Sequence, residues 1–213
     1  MLTLSALVAL LWIQPSGDLA AVTHSDAPPS GLAAPVAAQL GTGGVRATAR
    51  AVDLTFWWVK QLPLKPGSGL SWADVEEGAL IGVVKIDRDF RDVRGKIIKA
   101  GAYTLRYGIQ PANGDHLGVS PFRDFLLLSP VAIDADPAPR GHDGTVELSK
   151  ETIGGSHPAV WSIDPPTTSE ALLAAHTNDA GLKAIVVEVP AAREGKDAGK
   201  LRFGLVLVGR IEA

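Results

Sequence analysis

Ile97-Ile98-Lys99-Ala100-Gly101-Ala102-Tyr103-Thr104-Leu105-Arg106-Tyr107-Gly108-Ile109 is the stretch whose reading decides the fold. Successive side chains of an extended backbone point to opposite sides, so Tyr103, Leu105, Tyr107 and Ile109 share one face, with Thr104 and Arg106 on the other. A helix, with its period of 3.6, would scatter the same large residues around its circumference. The alternation predicts a strand with one face buried and the other turned to solvent.

Working outward, Asn113-Gly114 supplies turn chemistry ahead of an apolar strand over Phe125 to Leu128. Upstream, Ala79 to Ile86 is a further strand, and Val45 to Arg50 with Leu54 to Lys60 form a hairpin through Ala51-Val52-Asp53. In its second arm Leu54, Phe56 and Trp58 face one way and Thr55, Trp57 and Val59 the other, so a tryptophan lies on each face and both faces are expected to be covered. Downstream, Trp161 lies in a short apolar run, and Ala184 to Val189 is followed by a polar turn and Leu201 to Ile211. In that last run Leu201, Phe203, Leu205 and Leu207 oppose Arg202, Val206 and Val208, as in a sheet packed on a second layer. Short helices are expected over Pro35 to Leu40 and Val146 to Ile153, with a loop over Asp134 to Gly144. Roughly seven to nine strands without regular βα alternation predict a mainly β fold, an antiparallel β-sandwich of immunoglobulin-like or jelly-roll-like type with one or two short helices.

Composition supports this reading. The 213 residues include 23 Gly and 15 Pro, which suit many short elements joined by tight turns. A formal net charge of −3 leaves no basic excess to drive counterion release, so nucleic acid is not an expected partner. With no cysteine, the chain has no disulfides, thiolate nucleophiles or thiolate metal sites.

The amino terminus reads as an address. Leu2 to Ile13 is an uncharged apolar run followed by Gln14-Pro15-Ser16-Gly17. As a helix it would reach about 18 Å, well short of a hydrocarbon core of about 30 Å. Residues 1–21 are therefore expected to be a signal-like segment, 22–43 a linker with a short helix, and 44–213 the sandwich domain. Export to the periplasm or the extracellular space follows, with membrane contact by the first residues if they are retained.

Three groups of residues are candidates for chemistry. Asp115, His116, His142, Asp143 and His157 are imidazoles and carboxylates that loops at one end of a sandwich could gather around a divalent metal; the plainer alternative is that they make turns and satisfy neighbours. Trp72, Trp57 and Tyr107 are candidates for stacking on a sugar, with Trp72 the most exposed because it follows a glycine-rich loop; packing in the core is the alternative. Ser156-His157 lacks the glycine of a nucleophile elbow, since Pro158 follows, and Asp87, Asp89 and Asp92 are interleaved with arginines as in a solvated ion-pair face. No catalytic residue is assigned, and no cofactor is expected unless a divalent metal is held.

Lys99-Ala100-Gly101-Ala102-Tyr103-Thr104-Leu105 resembles the "aGxYtL" strand entry of a family of exported bacterial β-rich proteins of unknown function. The run Gln110 to Gly118, with Pro121 to Leu128, is similar to a narrower uncharacterised group of exported bacterial proteins. The resemblance implies export and a β-sandwich, and it brings no activity. The function expected from the sequence is an exported, non-catalytic binding or structural domain, an accessory subunit of a cell-envelope assembly, whose partner is another envelope protein or a polysaccharide. The alternatives are a metal-binding or metal-dependent protein and a carbohydrate-binding module.

Overall fold

The structure is a computed structural model that describes residues 18–111, 122–165 and 171–210. In chain order the strands are β1 (Ala20–His24), β2 (Gly44–Ala49), β3 (Val52–Trp58), β4 (Leu62–Pro63), β5 (Leu80–Ile86), β6 (Phe90–Arg91) and β7 (Ile97–Ile98). They continue as β8 (Gly101–Ile109), β9 (Asp124–Pro130), β10 (Ala159–Asp164), β11 (Ala175–Thr177), β12 (Lys183–Arg193) and β13 (Lys196–Val208). Two short α-helices, α1 (Ala34–Ala37) and α2 (Gly141–Lys150), complete the set. The fold is mainly β, as the alternation predicts.

The strands pair in one continuous order, β1-β2-β3-β5-β8-β9-β10-β13-β12-β11, and β4 joins β12 in parallel. β6 and β7 form a separate ribbon. The predicted hairpin is β2–β3, with Val45 opposite Phe56 and Ala49 opposite Val52. The predicted strand over Ile97 to Ile109 is broken at Lys99-Ala100, so that Ile97–Ile98 pairs with Phe90–Arg91 and β8 begins at Gly101.

The sheet is mixed and curled, so that strands far apart in its order come face to face. β3 and β13 stand five places apart in the strand order. At about 4.8 Å per strand a flat sheet would separate them by roughly 24 Å. Yet the rings of Trp58 and Phe203 meet at 5.9 Å, and those of Phe56 and Trp161 at 5.4 Å. The oily interior is the space enclosed by that curl, filled by Leu54, Phe56 and Trp58 of β3, Leu105 and Tyr107 of β8, Trp161 of β10, and Leu201, Phe203, Leu205 and Leu207 of β13. Phe90 from the ribbon stacks on Trp161 with ring centres 4.5 Å apart, and the Trp161 indole N–H donates to the Val206 carbonyl at 2.7 Å.

The opposite face of β3 is covered too, by the stretch expected to be a linker. Residues 22–43 are not a loose tether: β1 pairs with β2 over Ala20–His24, and Val36 and Leu40 are buried. The Trp57 indole donates to the Asp26 carbonyl at 2.8 Å. The His24 ring lies edge-on to Trp57, its Nδ1 accepts from the Asp26 amide, and its Nε2 therefore carries the proton that meets the Phe56 carbonyl at 3.1 Å. Such strapping needs close backbone approach. A Cβ on Gly44 would stand 1.7 Å from the Phe56 oxygen, so glycine is required there. Composition suggested a linker because Ala, Pro and Ser bury little on their own; here a few apolar side chains and a tryptophan from the sheet supply the anchoring.

A second cover lies over β8 and β9. α2 begins at Gly141 rather than Val146, so part of the expected loop is helical. Ser149 both donates to and accepts from the Ala159 backbone, and the Thr152 hydroxyl donates to Leu128 O at 2.7 Å, fastening the end of this segment to β10 and β9.

Candidate functional site

β8 carries the polar chemistry of the molecule, in two clusters that begin one residue apart. The first centres on Arg106, which the alternation assigns to a solvent face. The structure overturns that assignment: Arg106 and Thr104 are both 0% exposed, because residues 131–140 and α2 lie across them. The Arg106 guanidinium meets the Asp134 carboxylate with two parallel bonds, Nε to Oδ2 at 2.7 Å and Nη2 to Oδ1 at 2.8 Å. Its remaining N–H groups donate to the carbonyls of Gly78, Ala138 and Asp136, so all five donors are used. The Thr104 hydroxyl donates to Asp134 Oδ2, and Arg140 approaches Oδ1 at 3.5 Å. Burial of a charge pair is tolerated only with such saturation. The knot fixes the 131–140 segment on the sheet and leaves no donor for a ligand.

The second cluster lies at the end of the strand. Tyr107 points into the interior, where its ring stacks on Trp72 at 5.0 Å and its hydroxyl donates to Asp124 at 2.5 Å. Burial, then the hydrogen bond to Asp124, then the charges of Asp124 and Glu77 push the phenol far above its ordinary range, so Tyr107 stays protonated. Beside it, Glu77 Oε1 accepts from the Ile109 amide at 2.9 Å and from His142 Nδ1 at 2.7 Å. A carboxylate on Nδ1 orients an imidazole and leaves Nε2 as its other functional atom, and the His142 side chain is 39% exposed. The imidazole is thus held in one orientation at the edge of solvent.

The sequence-derived metal candidates are not gathered around it. Asp143 is exposed in the first turn of α2, next to His142. His157 is exposed beyond the other end of that helix, whose length from His142 to Lys150 alone is about 12 Å at about 1.5 Å per residue. Asp115 and His116 lie outside the described residues. Among the described residues no group of three or more histidine, aspartate and glutamate side chains converges on one point.

The stacking candidates are corrected more simply. Trp57 is 2% exposed, Tyr107 1% and Trp72 9%. Trp72 was expected at the surface after its glycine-rich loop, but a short 3-10 turn over Trp72–Asp74, closed by Ser71 and Asp74, tucks its ring between Tyr107 and Phe203. None of the three offers a face to a sugar.

Two further features complete the chemistry. Asp164 is buried at the end of β10, and its Oδ2 accepts from Asn178 Nδ2 at 2.6 Å. Burial raises its pKa, opposed by that hydrogen bond and by His176. A small, partly open slot lies between the β6–β7 ribbon and strands β10 and β13, lined by Phe90, Trp161, Ser162 and Val206. Sequence reasoning missed the pairs Arg106–Asp134, Glu77–His142, Tyr107–Asp124 and Asp164–Asn178. The one available signal was a single arginine in an otherwise apolar strand, which is not specific.

No known family model, curated protein or solved structure matches the chain.

Proposed function

We propose that the chain is an exported, non-catalytic binding or structural domain that serves as an accessory subunit of a cell-envelope assembly. The observation that carries this reading is how the groups most capable of chemistry are used. Arg106 spends five donors on the fold, Tyr107 gives its hydroxyl to Asp124, and the indoles of Trp57 and Trp161 bind backbone carbonyls. A molecule invested in this way works through its shape and its edges. Export rests on the apolar run Leu2 to Ile13.

The test is extraction of the tagged full chain from native cells after fractionation, using mild detergent. Recovery in the envelope or medium with a defined partner in fixed proportion supports the proposal. Recovery in the cytoplasmic fraction overturns the export part, and a purified monomer that turns over a defined substrate overturns the non-catalytic part.

A further inference from the structure

The segment that crosses the outer face of β3 reads Ser25-Asp26-Ala27-Pro28-Pro29-Ser30-Gly31. Proline fixes its own φ near about −65° and pushes the residue before it into extended conformations, so Ala27, Pro28 and Pro29 make a stiff run of the polyproline II kind. Residues 25–29 lie in neither helix nor strand, and among the described residues the main chain of 27–31 makes no hydrogen bond to the sheet. The strap is fastened by side chains. At one end the Trp57 indole donates to the Asp26 carbonyl at 2.8 Å, and the His24 ring stands edge-on to Trp57 at 5.1 Å while its Nδ1 accepts from the Asp26 amide. At the other, Gly31 turns the chain at φ +89° and Leu32 and Ala33 pack against the core. Trp57 is 2% exposed beneath it. Extended proline-containing chains are recognised in this way, by aromatic side chains that contact the chain and bind its free carbonyls.

We propose that the face of β3 around Trp57 is a docking site for a proline-containing extended segment of a partner polypeptide, and that residues 25–31 occupy it as a built-in competitor. The resident strap shows which chemistry the site accepts. An incoming chain of the same kind takes the Trp57 indole bond where the Asp26 carbonyl held it, so the exchange is bond for bond. What the partner must overcome is the tether, since a short connection gives the strap an effective concentration on the order of mM. It does so through contacts beyond the strap or by being held nearby in the same assembly. A second copy of the chain gains nothing by exchange: its strap makes the same contacts as the resident one, and association still costs translational and rotational freedom. The residues involved lie within 24–33 and 55–59, clear of the amino-terminal run read as an export signal. This inference rests on the binding-domain reading above and names the chemistry of the partner.

The probe is the acetylated and amidated octapeptide Ser-Asp-Ala-Pro-Pro-Ser-Gly-Leu, titrated into the full chain and followed by the NMR signal of the Trp57 indole N–H. The strap is weakened in one variant by Pro28→Gly with Pro29→Gly, and in a second, which leaves the prolines in place, by His24→Ala. The expected result is a saturable shift of the Trp57 signal, with affinity at least about tenfold higher in a folded strap variant than in the parent, because the competitor is then less often in place. Replacing both prolines of the peptide by glycine costs at least about tenfold in affinity, and Trp57→Phe, which keeps a ring and removes the N–H, abolishes the gain. Equal affinity in parent and strap variants, equal binding of the proline-free peptide, no saturable shift, or self-association through exchanged straps would overturn the inference. Those outcomes leave the envelope-partner reading standing, since it is decided by the extraction experiment.

Discussion

Two hydrogen-bonded side-chain pairs beside β8 have the same contact distance, and they are expected to behave in opposite ways. Arg106 to Asp134 and His142 to Glu77 each measure 2.7 Å. The side chains of the first pair are 0% exposed, and those of the second are 39% and 25% exposed. Contact distance therefore says little about worth. Where water is excluded, each charge depends on its partner and on every remaining hydrogen bond; where water reaches both groups, it replaces whichever partner is lost. The first pair is architecture, and the second is free to respond to its surroundings.

The largest effect that would break this contrast is at Asp134. Asp134→Ala leaves the Arg106 guanidinium buried without its counter-charge and is expected to destabilise the fold by about 3–5 kcal/mol in denaturant unfolding. Replacing Arg106 and Asp134 together by Met and Leu should recover much of that loss, because the buried charge is then gone. A double variant no more stable than Asp134→Ala would show that the cover over β8, rather than the charge balance, carries the stability.

Tyr107→Phe comes next. It removes a hydroxyl that bonds Asp124 at 2.5 Å and leaves the ring stacked on Trp72. A loss of about 1–2 kcal/mol is expected. Tryptophan fluorescence follows the unfolding. An unchanged midpoint would place Asp124 in water.

Asp164 sharpens the comparison through pH. Its folded pKa is raised, so the native state holds this proton more tightly than the unfolded chain does. Its contribution to stability is therefore greatest at acid pH and falls as pH rises from the unfolded carboxyl value through the folded one. Asp164→Asn keeps an oxygen for Asn178 and removes the ionisation, so its unfolding midpoint should gain on the parent as pH rises from about 4 to 7. A constant difference across that range would mean that Asp164 does not titrate differently on folding.

The smallest effect belongs to the exposed pair. His142→Ala is expected to change stability by less than about 1 kcal/mol, measured by the same unfolding experiment. A loss as large as that of Asp134→Ala would erase the distinction between the two clusters and make Glu77–His142 a structural clamp on α2.

Much of the fold is legible in the sequence, and the parts that are not share one cause. The β2–β3 hairpin follows from Val45, Phe56 and Trp58 with their alternation, the inward row of β13 from Leu201, Phe203, Leu205 and Leu207, and the covered second face of β3 from a tryptophan at position 57 as well as 58. The candidate site is poorly legible. Glu77 and His142 are 65 positions apart, and Arg106 and Asp134 are 28 apart, so nothing local marks either pair. Arg106 is misread because a period of two tells which side chains share a face but not what lies over that face. Trp72 is misread for the same reason, since its loop is polar while the ring is claimed by Tyr107 and Phe203 from distant strands.

By itself, then, the sequence determined that the backbone is extended, where it turns and which residues face together, because these depend on steric and hydrophobic preferences between near neighbours. Only the tertiary structure decided that one sheet curls on itself, that residues 22–43 and 131–150 cover it, and that β1 and β11 end its strand order among the described residues. Those outcomes depend on which distant surfaces exclude water from one another, and chain-local patterning carries no record of that.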